Sequence, residues 1–223
     1  AELIMPNTIE EENIIKKGLG LFNYNYSTIY NGVEKRFLHS DPSMFIKKYK
    51  IKDFILHVGH IGAKRKNTLR LLKALKTINY PTVIIGNVLN NKEGQKCLEL
   101  IKENTNILFL DWVKHSDPLL ESAYAASKVF VLPSLYETPG RSALEAGLAK
   151  SNIIITPFGG TKEYFSNFAT YVNPYSIKKI QESIINSINS SKSDDLSIHI
   201  KQNFLWEIIA KKLKTEYEKL LTL

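Results

Sequence analysis

The sequence predicts an α/β protein built on a Rossmann-like, doubly wound parallel sheet of about six strands. Strand-like and helix-like runs alternate from about residue 54 onward, which indicates parallel strands joined by crossover helices. Several strand-like runs consist of Val, Ile, Leu and Phe without polar alternation. A sheet that is covered by helices on both faces requires such runs.

The predicted strands follow one another through the middle of the chain, with helix-like segments between them. The strand-like runs are FILHVG (54–59), TVIIG (82–86), NILFLDWV (106–113), VFVLP (129–133), NIIIT (152–156) and TYV (170–172). The helix-like segments include NTLRLLKALKTI, the stretch around Cys97, DPLLESAYAAS and the Ser-Ala-Leu-Glu stretch. In such sheets ligands bind at the carboxyl ends of the strands. We therefore expect functional residues just after the strand-like runs.

The two ends of the chain differ from this core. The first twenty residues predict the tail of a strand, a helix cap at Asn7 or Thr8, and an amphipathic helix that ends at Gly18 or Gly20. The stretch YSTIYNGVEKRFL predicts a short strand and an Asn-Gly turn. After the polar spacer NSSKSDDLS, the stretch NFLWEIIAKKLKTEYEKLL predicts a long amphipathic helix.

The composition of the chain indicates the chemical class of its partner and its cellular compartment. The 223 residues carry a formal net charge of +8, which favours an anionic partner such as nucleic acid, an acidic membrane surface or a phosphate-bearing small molecule. The single cysteine, Cys97, allows no disulfide within the chain. No apolar run approaches the ~18 residues of a membrane span, and the N-terminus lacks a signal pattern. We expect a cytoplasmic protein.

The loop after the first predicted strand, VGHIGAKRKN, is rich in glycine and cations. Gly59 and Gly62 permit close backbone approach, and Lys64, Arg65 and Lys66 place three positive charges where the next helix begins. The loop matches neither the dinucleotide G-x-G-x-x-G pattern nor the Walker A pattern. It predicts a diphosphate clamp, and a solvated basic turn is the alternative.

The stretch SLYETPGRSALEAG places two glutamates, Glu137 and Glu145, around a Pro-Gly break after the fourth strand-like run. A helix that begins near Arg141 or Ser142 would direct free backbone N–H groups toward the strand ends, where they favour an anion. Ser142-x-x-Glu145 is also a capping box, which would explain Glu145 without any function. The capping box leaves Glu137 unexplained.

No metal site is predicted. The chain has no pair of aspartates at D-x-D spacing, and His57 and His60 have no further metal-type neighbours in the sequence. Fixed cations and a helix N-terminus would then have to stabilise a diphosphate. We expect a site that needs no metal and no cofactor.

Six blocks occur in an order that resembles a known family: VGHIGAKRKNTLRLLKAL, VIIGN, ILFLDWV, AYAASKVFVLPSLYETPGRSALEAGLA, IIITPFGGTKEYF and YVNPYSIKKIQESI. They resemble the C-terminal, donor-binding half of retaining glycosyltransferases of family 4, which have the two-domain GT-B architecture. The resemblance covers nearly the whole chain, and its E-x7-E block is specific in this context. It implies hexosyl transfer from a nucleotide-diphosphate sugar with retention of configuration.

The resemblance implies a role for each candidate residue. Glu145 matches the glutamate that binds the ribose hydroxyls of the donor, and Glu137 matches the one that contacts the donor sugar near the reacting centre. Lys66 and Arg65 match the basic pair that holds the diphosphate, so Glu137 and Lys66 are the expected catalytic residues. The remaining expected donor contacts are Gly59, His60, Trp112, Val113, Gly140, Arg141 and Ser142.

The resemblance also implies a domain organisation and partners. Residues 1–25 would be a remnant of a missing N-terminal domain with its linker, 26–190 the donor-binding domain and 191–223 a closing helix. The expected partners are a UDP- or GDP-linked sugar and a glycan or lipid-linked acceptor held through the missing domain, with no nucleic acid. Contact with the inner face of a membrane stays open. The chain alone should transfer little or nothing.

The sequence leaves three alternatives open. A glycoside hydrolase could use Glu137 and Glu145 as acid and base, because sequence spacing does not fix their separation. A non-catalytic module could bind a nucleotide sugar without transferring it. The pI near 9.3 suggests a nucleic-acid binder, but aromatic and basic residues do not interleave as in recognised modules.

Overall fold

The computed structural model describes residues 2–222 and contains one six-stranded sheet in that range. All neighbouring strands pair in parallel. The strands are β1 (Phe54–Val58), β2 (Thr82–Ile85), β3 (Ile107–Leu110), β4 (Ser127–Leu132), β5 (Asn152–Ile155) and β6 (Thr170–Tyr171). Their spatial order is β3-β2-β1-β4-β5-β6, which is the doubly wound Rossmann order. The predicted fold class is confirmed.

Ten α-helices and two 3₁₀ helices accompany the sheet within the described residues. The α-helices are α1 (Ile9–Leu19), α2 (Ser43–Tyr49), α3 (Thr68–Leu75), α4 (Lys92–Glu103), α5 (Pro118–Ala126), α6 (Arg141–Leu148), α7 (Thr161–Phe165), α8 (Ile177–Asn189), α9 (Asp195–Asn203) and α10 (Trp206–Leu221). The 3₁₀ helices are Lys35–His39 and Lys64–Lys66. None of the helices in residues 2–222 combines the length and apolarity that crossing a bilayer requires.

The continuous apolar strands fold as predicted because both faces of the sheet are covered. Successive side chains of a strand point to opposite faces. In β4, Val129 and Val131 belong to the core shared with α3 and α8, whereas Phe130 and Leu132 belong to the core shared with α5 and α6. All four side chains are fully buried. Burial on both sides is the physical reason why these strands lack polar alternation.

The connection between β3 and β4 decides where the sheet can hold a ligand. The chain runs from β1 outward through β2 to β3, and then returns to place β4 on the other side of β1. The strand order therefore reverses between β1 and β4. A crevice forms at such a point outside the carboxyl ends of the strands.

The N-terminal region is partly as predicted. Thr8 caps α1 by accepting the N–H of Glu11 at 3.0 Å, and Gly20 ends the helix in the left-handed conformation. The predicted strand tail and short strand are wrong, because they are reduced to one isolated bridge between Ile4 and Tyr26. The segment before α2 forms a 3₁₀ helix instead.

The C-terminal region contains one more helix than predicted. The long amphipathic helix predicted near the C-terminus is present as α10, but the polar spacer NSSKSDDLS already contains the start of α9. Leu196 and Ile200 of α9 are buried and share a core with α6, so two apolar side chains stabilise a stretch that is polar in sequence. Residues 1 and 223 of the predicted segments 1–25 and 191–223 lie outside the described residues.

Candidate functional site

A crevice of about 480 Å³ opens at the carboxyl ends of β1 to β4, within the range of about 300–1,000 Å³ that small-molecule sites occupy. Four separate chain segments line it. The structure brings all eleven predicted site residues to this crevice: Gly59, His60, Arg65, Lys66, Trp112, Val113, Glu137, Gly140, Arg141, Ser142 and Glu145. Their placement together follows from the strand order, while their individual roles remain predictions.

Glu137 is one of the residues that line the crevice, and it is held between two cations. Lys66 Nζ lies 2.6 Å from Glu137 Oε1, and Arg65 Nη1 lies 2.9 Å from Oε2. Ser134 also donates a hydrogen bond of 2.7 Å to Oε1. Burial on its own raises the pKa of Glu137, but Lys66, Ser134 and Arg65 outweigh it and lower the pKa below its ordinary value. The carboxylate is therefore ionised at neutral pH.

The loops after β1 and β4 are fastened to each other by hydrogen bonds. Asn67 Nδ2 donates to the carbonyl oxygen of Pro133 at 2.9 Å, and the N–H of Leu135 donates to the carbonyl oxygen of Arg65 at 2.8 Å. Asn67 has a φ of 58°, a left-handed conformation that asparagine tolerates better than most residues. This turn directs the two cations toward Glu137.

The loop after β5 supports Glu137 from the other side. The N–H of Glu137 donates to the carbonyl oxygen of Phe158 at 3.1 Å. Gly159 has a φ of 80°, and a Cβ atom at this position would lie 2.2 Å from the carbonyl oxygen of Glu137. Only glycine can therefore occupy this position without moving the loop.

Helix α6 begins without a side-chain cap. Its N-cap residue is Gly140, with a φ of 83°. The capping box that was the alternative explanation of Glu145 does not form, because the Glu145 carboxylate lines the crevice and is bound there by Tyr124 and His115. The amide groups at the start of α6 consequently keep no side-chain acceptor of their own, as an anion-binding helix start requires.

Glu145 is the second carboxylate that lines the crevice, and it is bound at both of its oxygens. Tyr124 Oη donates to Oε2 at 2.8 Å, and His115 Nε2 lies 2.8 Å from Oε1. Burial, followed by the nearby Glu145 charge, raises the pKa of Tyr124 well above its ordinary value. The phenol therefore stays protonated and acts as a donor.

Sequence analysis missed His115 and Tyr124 as site residues. His115 follows the third strand, at the edge of the sheet where functional residues are expected. This position in the sequence could have indicated His115 as a candidate site residue. Tyr124 lies on the buried face of α5, where the sequence pattern predicts only that an aromatic residue packs in the hydrophobic core. Its hydroxyl acquires a role only through Glu145, which is 21 positions away.

The other candidate residues are either exposed at the crevice or buried away from solvent. Trp112 lies at the rim of the crevice with 64% of its surface exposed, and Arg141 is also exposed. His57 is buried, with Nδ1 2.8 Å from the carbonyl oxygen of Val131. Burial lowers the pKa of His57 to about 4, so its ring is neutral. Within residues 2–222, no group of three or more His, Cys, Asp or Glu side chains is placed to bind a metal.

The fold and the crevice together define an α/β protein with a crevice at the reversal of strand order, lined by cations and two buried carboxylates. The model of the family described as glycosyl transferases group 1 matches residues 43–203. The chain belongs to this family. No curated protein sequence matches the chain.

Solved structures of related shape agree with the fold. A sucrose-phosphate synthase from Thermosynechococcus elongatus has a TM-score of 0.84 at 18% identity, covering 100% of this chain and 59% of its own. A glycosyltransferase from Rickettsia africae has a TM-score of 0.84 at 16% identity, with coverages of 99% and 64%. HepE from Anabaena, solved in complex with UDP and glucose, has a TM-score of 0.77 at 16% identity, with coverages of 100% and 64%. This chain thus spans about three fifths of their lengths.

Proposed function

We propose that this chain is the donor-binding half of a family 4 glycosyltransferase with two-domain GT-B architecture. The intact enzyme then transfers a hexosyl group from a nucleotide-diphosphate sugar with retention of configuration. One observation carries the proposal: the cations Lys66 and Arg65, the start of α6 and the carboxylates Glu137 and Glu145 line one crevice. The complex of HepE with UDP and glucose supports it.

The diphosphate of the donor lies, in this proposal, between the loop after β1 and the start of α6. Transfer lengthens the bond between the sugar and the phosphate, and negative charge grows on the leaving diphosphate. Lys66, Arg65 and the first amides of α6 are positioned to stabilise this charge. Fixed cations supply the positive charge that a divalent metal supplies in other enzymes, so we propose a metal-independent reaction.

The two glutamates bind different parts of the donor in this proposal. Glu137 contacts the transferred sugar near the reacting centre, as a carboxylate kept ionised by Lys66 and Arg65. Glu145 accepts hydrogen bonds from the ribose hydroxyls. Trp112 and Val113, at the carboxyl end of β3, line the space for the base. The donor therefore extends from Glu137 to Glu145 across the amides of α6.

The acceptor and the cellular setting belong to the same proposal. Because the chain spans about three fifths of the solved structures, a further domain is proposed to hold a glycan or lipid-linked acceptor. The free thiol of Cys97 is buried and fits a reducing cytoplasm. A lipid-linked acceptor would bring the enzyme to the inner face of a membrane.

A thermal-shift panel tests the donor site. We expect one of UDP, GDP or ADP to raise the melting temperature of this chain, because a ligand that binds only the folded state stabilises it by mass action. The corresponding nucleotide sugar should act similarly and remain intact over hours when the chain is alone. If none of the three diphosphates raises the melting temperature at millimolar concentration, the proposal is refuted. If the chain releases free sugar from a glycoside when no nucleotide is present, a hydrolase is favoured.

A further inference from the structure

The arrangement around Glu145 leaves a defined acceptor capacity on its carboxylate. A carboxylate has two oxygens, each with two lone pairs that can accept hydrogen bonds. Tyr124 occupies one position on Oε2, and His115 occupies one on Oε1. One acceptor position remains on each oxygen. Two such positions suit a pair of neighbouring hydroxyl groups.

His115 is oriented by Arg36, which belongs to the 3₁₀ helix Lys35–His39. Arg36 Nη2 donates to the carbonyl oxygen of His115 at 2.6 Å and lies 3.4 Å from the ring atom Nδ1. Arginine can only donate, so Nδ1 is the acceptor of this contact and Nε2 carries the proton. The proton on Nε2 is then directed at Glu145.

Arg36 is itself fixed by several partners. Its guanidinium forms ion pairs with Glu34 and Glu121 and stacks on the ring of Phe37, 4.2 Å from the ring centroid. Glu34 also faces the His115 ring, with Oε1 3.7 Å from Nδ1. A planar group with this many partners has little freedom to turn.

The two residues that face Nδ1 of the His115 ring lie outside the part of the chain that matches the family model. Glu34 and Arg36 precede residue 43, where that match begins. We propose that Arg36 and His115 form a positioning relay that fixes Glu145 so that its carboxylate receives both ribose hydroxyls of the nucleotide. The proposal rests on the proposed function, because it assumes that a nucleoside diphosphate binds in this crevice.

Calorimetric titration with matched ribose and deoxyribose ligands tests the relay. UDP, GDP and ADP identify the preferred base, and the 2′-deoxy form of that diphosphate is then compared with the ribose form. Wild-type protein should prefer the ribose form by about tenfold or more, the value of one hydrogen bond to a charged group. His115→Ala should reduce this preference to about threefold or less, with little change in affinity for the deoxy form.

Three further variants separate positioning from general structure. His115→Gln keeps an N–H donor close to the position of Nε2 and should restore most of the ribose preference. Arg36→Met leaves the imidazole in place without its orienting partner and should give an intermediate preference. His39→Ala removes an exposed histidine from the same 3₁₀ helix and should behave as wild type. His115 is about half exposed, and thermal melts check that each variant is folded.

Each outcome decides the question. If wild type prefers the ribose form and His115→Ala keeps the same preference, the relay is wrong while the proposed function stands. Equal loss of affinity for both forms, without rescue by His115→Gln, would mean a purely structural role and would also overturn the relay. If wild type binds none of the three diphosphates, the proposed function fails and the relay fails with it.

Discussion

The two carboxylates of the crevice belong to the same residue type and have different surroundings. Glu137 and Glu145 are eight positions apart, and both are buried, with 4% and 7% of their surfaces exposed. Glu137 is neutralised by the charges of Lys66 and Arg65. Glu145 is bound by hydrogen bonds from Tyr124 and His115. Tyr124 is a neutral donor, so it places no positive charge beside Glu145.

This difference shows how a short loop and the helix that follows it can present two distinct carboxylates. Lys66 forms an ion pair with Glu137 and is also the proposed partner of a diphosphate. An anion in the crevice would therefore compete with Glu137 for the same cation. Glu145 has no such competition, and its free acceptor positions remain available for hydroxyl groups. The two carboxylates are buried to a similar degree, and their different partners set their different chemistry.

The largest expected effect comes from removing Lys66. Lys66→Met leaves the buried Glu137 charge with Arg65 as its remaining cation, and we expect a loss of about 3 kcal/mol in the free energy of unfolding, the low end for broken buried pairs. Affinity for the preferred nucleoside diphosphate should fall roughly tenfold or more. Urea denaturation and calorimetry measure the two effects.

Two comparisons control the Lys66 experiment. The double variant Lys66→Met with Glu137→Gln should regain most of the stability, because the buried carboxylate that lost one of its two cations is removed as well, but it should not regain the affinity. Lys64→Met, which changes an exposed lysine of the same 3₁₀ helix, should leave both quantities close to wild type. A Lys66→Met protein as stable as wild type would show that the ion pair contributes little.

Neutralising each glutamate in turn should have opposite effects on nucleotide affinity. In Glu145→Gln, the amide group cannot accept from Tyr124 and His115 at both of its ends, so ribose binding should weaken roughly tenfold. Glu137→Gln removes the carboxylate that competes for Lys66, so the diphosphate should bind at least as tightly as in wild type. Calorimetry with the same diphosphate compares the two variants, and weaker binding by both would contradict the comparison.

A smaller effect is expected from Tyr124→Phe. The change removes the donor to Glu145 Oε2 and leaves a buried carboxylate oxygen with one hydrogen bond fewer. We expect a loss of about 1 to 2 kcal/mol in the free energy of unfolding, measured by urea denaturation. Tyr136→Phe removes the hydroxyl of an exposed tyrosine and should change little. Equal stability of the two variants would show that Glu145 does not need this donor.

The smallest expected effect concerns the loss in the free energy of unfolding as the pH is lowered. Because the pKa of Glu137 is lower in the folded chain than its ordinary value of 4.5, the unfolded chain binds the proton more readily. The stability due to this group is complete above pH 4.5 and is lost as the pH falls through the lower folded value. Glu137→Gln should therefore lose less stability than wild type between pH 6 and pH 3.

The acid response needs a matched variant, because Glu137 is one of 22 acidic residues. Glu99→Gln changes an exposed carboxylate on α4 and should lose as much stability as wild type over the same pH range. Urea midpoints at each pH measure the difference. Identical acid responses of wild type and Glu137→Gln would show that the cations do not favour ionisation of this carboxylate.

Much of the fold could be predicted from local pattern. The runs around Ile55, Val83, Phe130 and Ile154 are continuously apolar, and the structure buries all four side chains. A sequence pattern records burial directly, because each such residue must be removed from water. The third strand is shorter than predicted, because the apolar run ends at Leu110 before Asp111 and Trp112 lies exposed at the rim.

The contacts inside the site could not be predicted in the same way. Ser142 and Glu145 match a local capping box, yet Glu145 is bound by Tyr124 and His115 from two other segments. The polar spacer gains a helix because Leu196 packs against distant residues. In each case a partner far away in sequence outweighed a local preference.

The sequence by itself determined the strands, the crossover helices and the edge of the sheet where site residues would gather, because all three depend on short-range patterns of burial. The tertiary structure alone decided which polar groups meet there. The strand order brought Lys66 within 2.6 Å of Glu137, 71 positions away, and His115 within 2.8 Å of Glu145, 30 positions away. A buried polar group binds whichever partner the packing places beside it, and that choice is made across the whole chain.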